Sequence, residues 1–141
     1  MIDGPESAGI GKGTPGQLNP ILDKDTALAK IINKKASPLR RAQLNIVESI
    51  IEKFDVGSKV KVIITPKTRE RSEGIGVIQG FRFDKQRGWE IIYDNNGTQK
   101  HVTIDGKGYS ASSLELRHTD KGIELLDKLD DYRAIVSIER V

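Results

Sequence analysis

The chain has 141 residues, 23 Lys and Arg against 20 Asp and Glu, a formal net charge of +3 and no cysteine. Disulfide staples and thiolate metal sites are thereby excluded, and so small a net charge does not by itself demand a polyanionic partner. No apolar run approaches the roughly 20 residues of a membrane span, and the N-terminus lacks the apolar stretch of a signal peptide; the expected setting is cytoplasmic or, for a viral protein, the host-cell cytoplasm or the virion.

Residues 1–22 read as an extended arm, because Gly4, Pro5, Gly9, Gly11, Gly13, Pro15, Gly16 and Pro20 leave little apolar surface to offset the entropy of ordering it. Within it, Gly9 to Thr14 looks like the heart of a phosphate-binding loop. The full pattern needs another glycine where Glu6 stands, a strand before and a helix after, and Pro15 and Gly16 prevent that helix. Residues 23–36 read as a short helix and linker: Asp23 or Asp25 can cap a helix to Asn33, with Leu28, Ile31 and Ile32 on one side and Lys30, Lys34 and Lys35 near its C-terminal end. The next helix, Pro38 to Phe54, has Ser37 as N-cap and a stripe of Leu39, Ile46, Val47, Ile50, Ile51 and Phe54. Arg40 and Arg41 lie in its first turn, where the helix dipole disfavours cations, so an anion nearby is expected unless they extend into solvent.

From Val56 to Arg117 the pattern becomes that of short strands. Val60, Val62 and Ile64 alternate after Gly57-Ser58; Gly74 to Ile78 continues through Gly80 to Phe81 and Phe83. Trp89 to Tyr93 turns through Asn95-Asn96-Gly97 into Gln99 to Ile104, and Ser113 to Leu116 follows a loop carrying Tyr109. Gly57-Ser58-Lys59-Val60-Lys61-Val62, a loop, Gly74-Ile75-Gly76-Val77-Ile78 and the strand from Trp89 to Asp94 resemble the SH3-like small barrels of the KOW and Tudor type. The resemblance implies a five-stranded antiparallel barrel over residues 56–117, in a superfold whose members bind RNA, DNA, modified peptides or proteins. The expected architecture is therefore mainly β with flanking helices, one before the barrel and one after it, within a unit spanning residues 37–141.

Residues 56–117 carry eleven basic and seven acidic side chains, whereas residues 118–141 carry four and six. Positive charge thus gathers on the part of the chain with a binding-type fold, the direction a phosphate-contacting surface requires. Lys67, Arg69 and Arg71 stand in the polar loop between the first two strands; Arg82, Lys85, Arg87 and Lys100 interleave with or flank the later ones. Phe83, Trp89 and Tyr109 are the aromatics that a rim position would make available to stack a base or cage a cation, although packing is the commoner fate of such rings. Arg40 and Arg41 complete the anion-binding candidates.

After the barrel, Thr119 can cap a helix from Asp120 to about Asp131 with Ile123, Leu125, Leu126 and Leu129 on one side, and Ala134 to Ile138 reads as a strand. His101 and His118 have no partner by spacing, Ser110, Ser112 and Ser113 lack a nucleophile-elbow context, and no metal-ligand cluster appears. The expectation is a non-enzymatic protein without cofactor, whose barrel binds DNA or RNA mainly through phosphates within a larger nucleoprotein complex. The alternatives are a structural subunit of a viral or other assembly, held by protein partners through residues 1–36 and the 38–54 helix, and a homo-oligomer sequestering a nucleotide-like ligand with Arg40, Arg41 or Arg69.

Overall fold

A computed structural model describes residues 19–68 and 70–141. The arm as far as Leu18, with its phosphate-loop-like run, and Arg69 lie outside the described residues.

Helix α1 spans Lys24–Asn33 and α2 spans Pro38–Lys53. Asp23 caps α1 by accepting from the Thr26 amide at 2.8 Å, and Ser37 Oγ accepts from the Arg40 amide at 3.2 Å to open α2, with Pro38 in its first turn where the missing N–H costs nothing. The helices form a hairpin fastened at both ends. Lys24 Nζ reaches Asp55 Oδ1 at 2.5 Å and the Glu52 carbonyl at 3.2 Å, while Arg41 donates to the Ile31 carbonyl at 3.1 Å and to that of Lys34. Ala27 and Ile31 of α1 and Leu44, Val47, Ile50 and Ile51 of α2 are buried, followed by Phe54. Leu39, read as part of the stripe, is 71% exposed because it falls in the first turn, before α2 reaches the core.

Seven antiparallel strands follow: β1 Lys59–Ile64, β2 Ser72–Asp84, β3 Gly88–Asn95, β4 Thr98–Thr103, β5 Leu114–His118, β6 Gly122–Asp127 and β7 Arg133–Arg140. They form one sheet in the order β4-β3-β2-β1-β7-β6-β5. Two meanders, β1 to β4 and β5 to β7, are joined where the first strand pairs with the last. Val62 marks the junction, with Gly74 on one side and Ile138 on the other.

The architecture differs from the expected five-stranded barrel with a helix on each side. The strands at 59–118 do not close on one another, because β7 occupies the free edge of β1 and continues the sheet into β6 and β5. Both α-helices precede the sheet, and the helix expected from Asp120 to Asp131 is instead β6 followed by a short 3-10 turn at Lys128–Asp130. Leu125 and Leu126 are both buried although adjacent, which breaks strict alternation into helix-like spacing and explains the misreading; the bulge beside them lies on β7, where Ile135 is the extra residue. Thr119 serves a hairpin rather than a helix cap: its Oγ1 accepts from the Gly122 amide at 3.0 Å, and its own amide donates to the Gly122 carbonyl at 2.9 Å.

One sheet face supplies the core. Val60 and Val62 of β1, Ile78 and Phe81 of β2, Trp89, Ile91 and Tyr93 of β3, and Ile123, Leu125 and Ile138 beyond them pack with the helical stripes. Tyr93 explains two glycines in β2: a Cβ on Gly74 would lie 2.9 Å from its hydroxyl, and one on Gly76 would lie 2.6 Å from its ring. Past Ile78, β2 has left β1, and the exposed edge is taken by the entering chain. Leu22 exchanges both backbone hydrogen bonds with Phe81, and Asn19 Nδ2 donates to the Phe83 carbonyl at 2.7 Å. Among the described residues no helix is long and apolar enough to cross a membrane.

Candidate functional site

The cations singled out in the sequence do not form one surface. Lys67 is exposed in the loop between β1 and β2, and Arg71 beside it pairs with Glu73 at 2.7 Å. Lys85 and Arg87 occupy the turn at the opposite end of β2, a strand of 13 residues, so roughly 40 Å of extended chain separates the two groups. Lys100 is exposed on the edge strand β4.

Four of the candidate arginines, Arg40, Arg41, Arg82 and Arg87, are engaged internally. Arg82, 5% exposed, donates to Glu90 Oε1 at 3.0 Å, and Arg87 completes that carboxylate's shell through Oε2 at 3.1 Å. Glu90 is fully buried, so these bonds are what make its burial tolerable. Arg87 also approaches Asp84 at 3.2 Å; its backbone N–H, donated to Asp84, is the main reason that carboxyl sits below the ordinary range. Arg41 is the clasp on the C-terminal end of α1 already described.

Arg40 does find an anion, and it is internal. Its guanidinium grips Asp105 with both forks, at 2.5 and 2.7 Å, and this hydrogen bonding raises its pKa further above the ordinary arginine value. Asp105 also accepts from the backbone amides of Trp89 at 2.9 Å and Lys107 at 3.0 Å. One buried carboxylate thus ties α2 to the start of β3 and to the loop after β4. Gly88 makes room for it: its φ of 82° suits glycine, and a Cβ there would lie 2.3 Å from Asp105 Oδ2. Gln43 reinforces the same junction by donating to the carbonyls of Gly106 and Tyr109 at 2.8 and 2.9 Å. Tyr109, on this loop, is 36% exposed and is not among the residues that line the cleft beside Phe83 and Trp89.

Phe83 and Trp89 come together, edge to face, with ring centroids 5.7 Å apart and planes at 64°. They line a cleft of about 440 Å³ whose other apolar walls are Pro20 and Leu22 of the entering chain, Ile31 of α1 and Leu44 of α2. Its polar boundary is almost wholly cationic: Lys30, Lys34, Arg40 and Lys107, with Asn19 beside them and no acidic side chain among the lining residues. Lys30 and Lys34 stand one helical turn apart beside the buried Ile31, and Lys107 approaches from the loop held by Asp105, its Nζ donating to the Lys85 carbonyl at 3.0 Å. Among the described residues these three lysines take part in no ion pair.

The structure therefore unites Phe83, Trp89 and Arg40 from the candidate set and adds Lys30 and Lys34, which the sequence reading assigned to helix-end electrostatics, and Lys107, from the loop that carries Tyr109. The available signal was the pair Lys30 and Lys34 flanking Ile31 at the margin of an apolar stripe. No group of His, Cys, Asp or Glu capable of holding a metal occurs among the described residues. Comparison with protein-family models, curated proteins and solved structures returns no match, so nothing there identifies a KOW or Tudor fold.

Proposed function

We propose that this chain is a non-enzymatic binding protein that holds nucleic acid by its phosphates at the lysine-rimmed cleft, within a larger nucleoprotein complex. The observation that carries this reading is the set of three lysines, without carboxylate partners among the described residues, around a partly aromatic cavity. Like charges gathered there repel one another, and a bound polyanion removes that repulsion while releasing its own counterions. The lining includes no imidazole, carboxylate, hydroxyl or thiol to act as nucleophile or general base, which supports binding rather than turnover.

The test is a titration against short DNA and RNA, single- and double-stranded, between low and physiological salt. Three phosphate contacts predict a log K against log salt slope of about −2 for a single strand, and each of Lys30→Ala, Lys34→Ala and Lys107→Ala should flatten it by about 0.7. Absence of binding at low salt would exclude the reading. A second reading, an assembly subunit, is favoured by Ile32 and Leu39, 59% and 71% exposed close to the turn between the helices. It predicts self-association or a protein partner lost on Ile32→Ser/Leu39→Ser, measurable by sedimentation.

A further inference from the structure

We infer that the cleft receives one unpaired nucleobase, so that the ligand is single-stranded and the lysines read the phosphates on either side of the inserted unit. This rests on the nucleic-acid reading above and adds to it the form of the ligand and the place of the base.

The shape of the site separates single strands from duplexes. Direct readout of a duplex requires a convex element, a helix or β-ribbon, entering a major groove about 12 Å wide. Here the charged feature is concave: lysines stand around a cavity between the helical hairpin and the end of the β2–β3 hairpin. Bases in a duplex are stacked and paired, and cannot enter such a cavity without being extruded. A single strand offers its bases freely.

Size and chemistry point the same way. About 440 Å³ lies within the range of roughly 300–1,000 Å³ that encloses one small ligand. Six of the lining residues are apolar, and the half-buried Phe83 leaves part of its ring available, fixed in orientation by the buried Trp89. A base is flat, weakly hydrated on its faces and covalently joined to the charge that the lysines require. The entering chain at Asn19 to Leu22 is bonded to the exposed edge of β2, which holds that wall in place.

Trp89 is the only tryptophan in the chain and lines the cleft, so its emission reports entry directly. The full chain is titrated at one low salt concentration with a single-stranded oligodeoxynucleotide, with an abasic strand of equal length and charge, and with a duplex. The expected result is saturable quenching by the base-bearing strand alone, and affinity for the abasic strand and the duplex at least about tenfold weaker, the size of one lost base contact. Phe83→Leu, which keeps most of the packing volume, should bring the base-bearing strand down to the affinity of the abasic one while leaving the abasic strand's binding unchanged. Equal affinity for all three probes with constant emission would overturn the inference and leave the phosphate-binding reading standing. No binding of any probe would overturn both.

Discussion

At the base of the cleft Arg40 is held by both oxygens of Asp105, whereas at its mouth Lys30, Lys34 and Lys107 meet no carboxylate among the described residues. Both sets are cations at one cavity, yet the first is part of the framework and the second makes no ion pair among the described residues. A guanidinium with a planar fork suits the first role, because it satisfies a buried carboxylate in two directions at once; a flexible ammonium suits the second. Formal charge in the sequence did not separate them. Arg40, Arg82 and Arg87 were as attractive as phosphate ligands as any lysine, and each is bonded to an internal acid.

The comparison breaks most visibly at Asp105. Asp105→Ala would leave the partly buried Arg40 without its partner and the Trp89 and Lys107 amides without an acceptor, at a cost of about 3 kcal/mol. A urea midpoint lowered at unchanged m-value is the expected observation. A loss under 1 kcal/mol would mean that α2 and the β3 end are held by the apolar core alone. Because Asp105 also positions Lys107, the variant should bind nucleic acid more weakly at temperatures where it remains folded.

Arg82 sharpens the same contrast away from the cleft. Glu90 keeps Arg87 as a partner when Arg82 is removed, so Arg82→Ala should cost about 2 kcal/mol, less than a buried pair broken outright. Arg82→Ala/Arg87→Ala should lose more than the two single costs together, since only then is the buried carboxylate unpaired. Neither single variant should change the affinity for nucleic acid. A binding loss with Arg82→Ala would move the site to the outer face of the sheet.

What the sequence revealed depended on the range over which each pattern acts. The helix caps Asp23 and Ser37 and the alternation of Val60, Val62 and Ile64 are local, and they were legible as such. Closure of the sheet was not, because it turns on whether β7 or β4 reaches the exposed edge of β1, a pairing between residues about 75 positions apart in the chain. The stretch Gly122 to Leu129 fits both periods because the adjacent Leu125 and Leu126 are both buried; Leu129, the fourth member of the supposed helical stripe, is 83% exposed. The candidate site was hidden for a related reason. Its lysines come from α1 and from the loop after β4, and only tertiary packing places them around Phe83 and Trp89.

Acid titration separates the carboxylates that take part in local turns. Backbone hydrogen bonds, led by that from Arg87, hold the Asp84 carboxyl below its ordinary value of 3.8. A depressed folded-state pKa contributes stability above the unfolded value and loses it as pH falls through the folded one. Stability should therefore fall as the pH drops below about 4, and Asp84→Asn should reduce that loss modestly, because this partly exposed group is screened by solvent. An identical pH dependence in the variant would show that the turn at Asp84 contributes nothing to it. The readout is the urea midpoint at a series of pH values.

The smallest effect on stability, and the one that bears most on function, belongs to the mouth. Lys30, Lys34 and Lys107 are exposed and make no ion pair among the described residues, so each alanine substitution should shift stability by no more than about 0.5 kcal/mol. Removing all three could even raise it slightly, by relieving repulsion among them. The matching expectation for binding is opposite in size: a uniform loss across sequences, together with a salt slope flattened almost to zero. Framework residues tie affinity to folding; ligand-facing residues let the two vary separately. If the triple variant unfolds as readily as Asp105→Ala, the lysines belong to the framework as well, and the distinction between base and mouth disappears.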